Sequence, residues 1–233
     1  MRLAICTPLY RTMPTRSHVS ITRLLIHLAA KNIGYRYFHS DMTYLPQARE
    51  EIMREVLEEH KKKLFDWILH IDSDSVFLPM QAHVLLDDAE ANNFDILSAI
   101  YFKTNDTPLP VLMKEITPSL RKKIAKAKGI KPEEIAAKYY NVHTLSGEEF
   151  FEVDVAGMGF MLVKPKVYLD IIKRFSPFPV FETWHKEGKF VGEDTVFCEK
   201  AKECRYNVMV DSNVVVGHWG KEVTIRDYAN WKR

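Results

Sequence analysis

Apolar and polar positions follow two alternating rhythms in the N-terminal part of the chain. Short apolar runs of strand length, such as RLAICTPLY and FDWILHID, are separated by longer stretches in which apolar residues recur every three or four positions. The first pattern is typical of buried strands and the second of amphipathic helices. Strands that alternate with helices predict parallel strands joined by helical crossovers. We therefore expect an α/β fold with an open mixed sheet, mostly parallel and flanked by helices.

Prolines and glycines mark the expected boundaries of these elements. Proline is favoured in the first turn of a helix, and glycine is favoured just beyond the last turn. A first helix is predicted to begin near Pro14 and to end at Gly34, where a second strand follows. Pro46 and Pro79 are predicted to open two further helices, and the run DILSAIYF is the next buried strand.

The stretch from Lys103 to Glu149 breaks this alternation. It contains several prolines and a basic helical segment, RKKIAKAKG, whose lysines are typical of a solvated helix face. We interpret it as a variable insertion, at about residues 103–149, in a single domain that spans residues 1–233. The segments that follow are a strand-like FFEVDVAGMGFMLVKP, an aromatic-rich loop SPFPVFETWHKEGKF, a helix GEDTVFCEKAKEC and an apolar YNVMVDSNVVVGHWG that closes the sheet.

Composition and charge narrow the choice of partners. The chain has 33 Lys and Arg against 31 Asp and Glu, a formal net charge of +2, so no strong field attracts nucleic acid. The N-terminal apolar run LLIHLAA is far too short to span a membrane. We expect no transmembrane segment, no nucleic-acid partner and a cytoplasmic location.

Several common catalytic signatures are missing from the sequence. Gly157-Met158-Gly159 is followed by Leu162 where a third glycine would complete a dinucleotide-binding fingerprint. Neither Gly-Lys pair is followed by Ser or Thr, so there is no phosphate-binding P-loop. The sequence also contains no G-x-S-x-G or H-E-x-x-H motif. These absences disfavour dehydrogenases, nucleoside triphosphatases and the commonest hydrolases.

The strongest candidate chemistry is the acidic motif Asp72-Ser73-Asp74, which follows directly after a buried strand. Open α/β sheets bind ligands beyond the carboxyl ends of their strands. Two carboxylates at i and i+2 share one face of extended backbone and suit Mg²⁺ or Mn²⁺, which retain positions for water and phosphate oxygens. A polar turn without a ligand explains the same residues equally well.

Two later motifs supply context for this pair. Glu193 and Asp194 open a predicted helix, where they are either helix-capping acids or a general base held away from water. His218 follows an apolar strand and is either structural or a ligand that completes a coordination sphere.

The order of these motifs resembles that of the nucleotide-sugar-dependent glycosyltransferases of the GT-A fold, especially the family 2-like enzymes of microbes and their viruses. The motifs are TPLY, Asp-x-Asp, VDVAGMGFMLVKP, GEDTVFCEKA and VVVGHWG, and the likeness covers nearly the whole chain outside the insertion. The resemblance implies a Rossmann-like GT-A domain that uses Mn²⁺ or Mg²⁺. Such an enzyme transfers a sugar from a UDP- or GDP-linked donor to a carbohydrate or other hydroxyl acceptor, with inversion.

The resemblance also implies roles for individual residues. The implied metal ligands are Asp72, Asp74 and His218. The implied donor-nucleotide contacts are Thr7, Pro8, Tyr10, Arg49, Asp72 and Ser73. The implied catalytic residues are Asp194, the first choice for the base, and Glu193. The implied contacts to donor sugar or acceptor are Gly157, Met158 and Gly159. Arg49 matches the arginine of the family's Ala-Arg-Asn element, although Glu50 replaces its asparagine.

Two other interpretations remain open from the residues alone. A haloacid-dehalogenase-like phosphotransferase would use Asp72 as the nucleophile and Asp74 as a general acid and base. Such enzymes carry the motif near the N-terminus, whereas here two strand-helix units precede it. A sugar-nucleotide-binding module without catalysis would retain the same fold and metal site.

Overall fold

The fold is built around a seven-stranded sheet. A computed structural model describes residues 1–9, 12–103, 109–145, 147–186 and 189–219. The strands are β1 (Arg2–Pro8), β2 (Gly34–Ser40), β3 (Trp67–Ile71), β4 (Ser75–Val76), β5 (Ile96–Ile100), β6 (Leu112–Glu115), β7 (Tyr139–Asn141), β8 (Phe150–Val153), β9 (Val155–Ala156), β10 (Phe160–Val163), β11 (Trp184–Lys186), β12 (Lys189–Val191), β13 (Val208–Val215) and β14 (Gly217–His218). The helices are α1 (Thr15–Ala30), α2 (Leu45–Lys62), α3 (Pro79–Ala91), α4 (Pro118–Lys128), α5 (Pro165–Phe175) and α6 (Glu193–Glu203), with a 3₁₀ turn at Pro132–Glu134.

Five of the seven strands of the central sheet run in one direction. The spatial order is β2-β1-β3-β10-β5-β13-β8. Strand β1 is parallel to β2 and β3, and β13 is parallel to β5, whereas β10 is antiparallel to both β3 and β5. Strand β8 is antiparallel to β13 at the edge. The predicted open, mixed and mostly parallel sheet is therefore confirmed.

Helices cover both faces of this sheet, which explains why its central strands are continuous apolar runs. In β1, Leu3 and Ile5 pack with α1 and α3, while the alternate residues Ala4 and Cys6 pack with α2, α5 and α6. Because side chains alternate between the two faces of a strand, both sets of positions must be apolar. No helix among the described residues is long and apolar enough to cross a membrane.

The insertion folds as a small unit against the main core. Strands β6 and β7 join β9 in a separate three-stranded sheet, with Leu112 opposite Ala156. The side chains of Leu112 and Val142 are buried in the core shared with α2, α5 and α6. Helix α4 begins where the Thr117 hydroxyl accepts the Leu120 N–H at 3.2 Å. Because β6 pairs with β9, the insertion lies next to the chain that leads into Gly157.

Two predicted local structures differ from the observed ones. Helix α1 ends at Ala30, and the left-handed backbone position after it is taken by Asn32 at φ 54°, so the predicted end at Gly34 is wrong. The Ile33 N–H returns to the Leu28 carbonyl at 2.9 Å, which leaves Gly34 free to begin β2. The aromatic-rich loop contains the two-stranded antiparallel ladder β11–β12, which no apolar run indicated.

Candidate functional site

The candidate site lies where the parallel strands of the central sheet reach their carboxyl ends, which we call the sheet edge. Strands β1, β3, β5 and β13 end there, at Pro8, Ile71, Ile100 and Val215, because they run in the same direction. Strand β10 runs the opposite way, so its first residue, Phe160, lies opposite Ile71 at the same edge. Ligands of open α/β sheets bind at this type of edge.

The turn that carries the acidic motif is fixed to the start of β10. The Asp72 N–H and the Ser75 hydroxyl both donate to the Gly159 carbonyl at 2.9 Å, and the Ser75 N–H closes the turn on the Asp72 carbonyl at 3.0 Å. The side chains of Asp72 and Asp74 remain 25% and 39% exposed. Ser73 lies half-buried between them. The turn therefore presents both carboxylates toward solvent at the sheet edge.

A short antiparallel ladder brings His218 to this turn. His218 in β14 lies opposite Ser75 in β4. The His218 Nε2 atom lies 2.9 Å from Asp74 Oδ2, and Nδ1 lies 3.1 Å from the Phe102 carbonyl oxygen. The hydrogen bond to Asp74 is the main cause that raises the pKa of His218. The structure thus pairs two predicted metal ligands that are distant in sequence.

The Asp74–His218 pair fits a divalent metal ion by the chemistry of its donor atoms. Both ring nitrogens of His218 face acceptors, so its protonated form donates from Nδ1 to the Phe102 carbonyl and from Nε2 to Asp74. A divalent ion would take the place of the Nε2 proton, while the Nδ1 hydrogen bond keeps the ring oriented. One imidazole nitrogen and carboxylate oxygens suit Mn²⁺, which retains positions for water and phosphate oxygens. Within the described ranges no group of three His, Cys, Asp or Glu forms a complete protein cage. An ion held by this pair would take its other ligands from water or from phosphate oxygens.

Arg49 connects the acidic turn to the second acidic motif. Its guanidinium, on α2, is only 2% exposed. Nη2 donates to Asp72 Oδ1 at 2.6 Å, and Nε lies 3.4 Å from Glu193 Oε1. Burial opposes the charge, but Asp72 and Glu193 more than offset it, so the pKa of Arg49 lies above its usual range. One oxygen of Asp72, Oδ1, is therefore taken up by Arg49.

The second acidic motif opens α6. Glu193 is the first helical residue and its side chain is 12% exposed. Asp194 Oδ1 accepts the Thr195 N–H at 2.7 Å, and a Cβ atom at Gly192 would lie 3.0 Å from the same oxygen. Burial raises the pKa of both carboxyls, and the Arg49 charge acts in the opposite direction. A partly desolvated carboxylate with a raised pKa is suited to accept a proton.

Comparison with known proteins identifies the fold of the chain. No family model matches the chain, and no curated protein matches its sequence. The structure of A197 from STIV matches with a TM-score of 0.54 and 16% identity over 95% of this chain and 87% of that one. GalNAc-T7, solved with UDP, GalNAc and Mn²⁺, matches with a TM-score of 0.50 and 9% identity over 98% of this chain. The fold is the GT-A fold.

At such low identities, these likenesses show the fold alone. The chain spans about half the length of GalNAc-T7, at 47% of it, and the greater part of A197. A GT-A fold places its strand ends as described above, but the residues there must support their own chemistry.

Tyr101, which the sequence analysis missed, fills the space beside the predicted sugar-contacting glycines. A Cβ atom at Gly157 would lie 2.9 Å from Tyr101 Cζ and closer still to its hydroxyl oxygen. A Cβ at Gly159 would lie 2.8 Å from Tyr101 Cζ, and the Gly159 N–H donates to the Tyr101 hydroxyl at 3.1 Å. Both glycines therefore make room for Tyr101. The aromatic residue directly after strand β5 was the available sequence signal.

The remaining predicted residues divide into buried and peripheral positions. Thr7 and Pro8 are buried at the end of β1, beside the strand that leads to Asp72. Met158 is buried in the core shared with α2, α5 and α6, between the two glycines. Tyr10 lies outside the described residues. The predicted contacts of these residues to a nucleotide or a sugar stay predictions.

Proposed function

We propose that this protein is a glycosyltransferase that moves a sugar from a nucleoside-diphosphate donor to an acceptor hydroxyl, with a divalent metal ion. The observation that carries the proposal is the presence of two acidic pairs at one sheet edge. The first pair is Asp72 and Asp74, and the second is Glu193 and Asp194. Asp74 contacts His218, and Arg49 contacts both Asp72 and Glu193. The GT-A fold supports this assignment.

Asp74 and His218 are the residues that would hold Mn²⁺ or Mg²⁺. The bound ion would neutralise charge on the departing diphosphate and orient it. The proposed nucleotide contacts are Thr7 and Pro8 at the end of β1, Ser73 in the acidic turn, and Tyr10, which lies outside the described residues. Arg49 holds Asp72 in place in the acidic turn, by a hydrogen bond of 2.6 Å.

Asp194 is the proposed general base. It takes the proton from the acceptor hydroxyl as that oxygen forms a bond to the anomeric carbon of the donor sugar. The bond from the anomeric carbon to the phosphate oxygen breaks at the same time, and its electron pair leaves with the nucleoside diphosphate. A single displacement of this kind inverts the anomeric centre. Glu193 lies 3.4 Å from Arg49, so its role is to hold the charge balance beside the base.

The decisive test is calorimetric titration of UDP and of GDP, each with and without Mn²⁺. We expect one nucleotide to bind in a metal-dependent manner and the Asp74→Ala variant to lose that binding. Asp87→Ala is the matched control, because Asp87 also faces a histidine, His83, at 3.6 Å, but lies on α3.

Binding that is equal with and without Mn²⁺, or unchanged in Asp74→Ala, would contradict the metal assignment. If neither nucleotide binds while a simple phosphate ester is cleaved with Mg²⁺, the protein is a phosphotransferase instead. Metal-dependent binding with no transfer to any acceptor would identify a non-catalytic binding module.

A further inference from the structure

A large cavity lies beside the start of α6, the helix that carries the proposed base. It has a volume of about 1000 Å³ and lies between the insertion strands, the β11–β12 ladder and α6. We call it the insertion cleft; its walls include Met113, Tyr139, Trp184, Phe190, Gly192 and Thr195. The volume is at the upper end of the range for small-molecule sites, which leaves room for more than one sugar ring.

The insertion cleft reaches the start of α6, where Asp194 lies. Gly192 and Thr195, on either side of the acidic pair, both line it. The Asp194 carboxylate folds back along this stretch, since Oδ1 accepts the Thr195 N–H and would lie 3.0 Å from a Cβ at Gly192. A ligand in the cleft therefore ends close to the group proposed to deprotonate an acceptor.

Two aromatic side chains in the lining of the cleft are exposed to solvent. Trp184 is 37% exposed and Phe190 is 62% exposed, both on the β11–β12 ladder. Contact between large aromatic side chains and water is unfavourable, and a ligand that covers the side chains removes it. Flat apolar rings of this kind match the C–H faces of pyranose rings while leaving their hydroxyls free.

The polar wall is the part of the lining formed by the charged side chains and Tyr139, and it carries both signs of charge. Glu199 Oε1 accepts from the Tyr139 hydroxyl and from Lys138 Nζ, both at 2.6 Å. Lys202 is paired with Asp154 and lies 3.5 Å from Glu115. The lining carries three glutamates, Glu115, Glu199 and Glu203, against two lysines, so no field favours a polyanion. A lipid tail would displace water from these ionic groups and offer them no hydrogen bonds, which is unfavourable.

We propose that the insertion cleft binds the acceptor and that the acceptor is a neutral saccharide of more than one unit. This inference rests on the proposed function, because it takes Asp194 as the base. Hydroxyls of the saccharide would bond to the carboxylates and ammonium groups of the polar wall, while its rings cover Trp184 and Phe190. The insertion thereby selects the acceptor, and the edge of the main sheet binds the donor.

The test uses the full chain and a set of neutral oligosaccharides of one to four units, built from glucose, mannose, galactose or N-acetylglucosamine. Binding is followed by saturation-transfer NMR and calorimetry. We expect at least one series to bind, more tightly with two or three units than with one. Phe190→Ala and Trp184→Ala should each weaken that binding about tenfold or more.

Phe178→Ala is the matched control, because Phe178 is 64% exposed but does not line the cleft. It should leave saccharide binding unchanged, and all three variants should keep wild-type affinity for the nucleotide with Mn²⁺. The inference is overturned if the wild type binds no series, if the cleft variants bind as tightly as the wild type, or if a peptide library binds there instead. Saccharide binding without any nucleotide binding would retain the cleft and reject the transferase.

Discussion

The two acidic pairs at the sheet edge use the same functional group in opposite surroundings. Asp72 and Asp74 lie in a turn after a buried strand and reach solvent, where Asp74 meets a histidine. Glu193 and Asp194 lie in the first turn of a helix, where burial raises the pKa of both carboxyls. Exposed oxygens with a nitrogen partner are suited to a cation, whereas a desolvated carboxylate is suited to a proton. The surroundings, more than the residue type, therefore support the different roles proposed for the two pairs.

Arg49 makes the two pairs dependent on each other. It is a single buried cation shared between Asp72 and Glu193, with Nη1 lacking a hydrogen-bond partner among the described residues. The buried Arg49 charge needs the two carboxylates, because removing one of two opposite buried charges leaves the other uncompensated. Changes at either pair should therefore be read together with Arg49.

The largest effect is expected for Asp194→Asn. The amide cannot accept the acceptor proton but keeps nearly the same shape, so turnover should fall by about 10²–10⁴-fold. Nucleotide affinity with Mn²⁺ should stay within about twofold, because the donor side is intact. Steady-state kinetics and calorimetry measure the two quantities. Asn at this position with wild-type turnover would remove Asp194 as the base.

The next largest effect is expected for His218→Ala. Loss of one of two protein ligands should weaken Mn²⁺-dependent nucleotide binding by about 10–100-fold. His83→Ala on α3 is the control, because it removes a histidine that also faces an aspartate. Calorimetry at a fixed Mn²⁺ concentration measures the change. Equal weakening in both variants would show that the effect is not specific to the proposed metal site.

A smaller effect is expected for Arg49→Gln, which breaks the link between the pairs. The Arg49 charge holds down the pKa of Glu193 and Asp194, so removing it raises both. A base must be ionised, so the acid limb of kcat/KM should move to higher pH by about one unit. Profiles from pH 5 to 9 check this against Arg54→Gln, an exposed arginine on the same helix. An acid limb that does not move in Arg49→Gln would show that Arg49 does not couple the two pairs.

The smallest effect, on folding rather than activity, is expected for Gly157→Ala. The added methyl group would meet Val111 Cγ1 at 2.8 Å as well as the Tyr101 ring, so the free energy of unfolding should fall by about 1–3 kcal/mol. Gly34→Ala is the control, since its nearest neighbour would be 3.6 Å away. Urea denaturation measures both. If Tyr101→Phe partly restores the stability of Gly157→Ala, the hydroxyl is the group in conflict.

The patterned parts of the molecule were predictable from sequence. Continuous apolar runs located β1, β3 and β5, because both faces of a central strand are covered by helices. The positions of Asp74 and His218 at strand ends followed from the same runs. Their mutual contact did not, because it depends on pairing between β4 and β14.

The parts that depend on three-dimensional neighbours were not predictable. Nothing local to Arg49 indicates that it lies 3.4 Å from Glu193, and nothing local to Gly157 indicates Tyr101. The β11–β12 ladder lacks the alternating pattern of a half-buried strand, so its aromatic residues look like a loop. Such features follow from packing between elements far apart in the chain.

The ladder between β4 and β14 also determines when during synthesis Asp74 can meet His218. During synthesis, the ribosome completes the acidic turn long before it adds residue 218, which lies opposite residue 75 in the folded protein. A nascent chain can therefore form the first strands and helices while its Asp74 still lacks a histidine partner. The proposed metal-binding pair is therefore completed only after the first strands and helices have been made, and a chain that stops before residue 218 would lack its histidine.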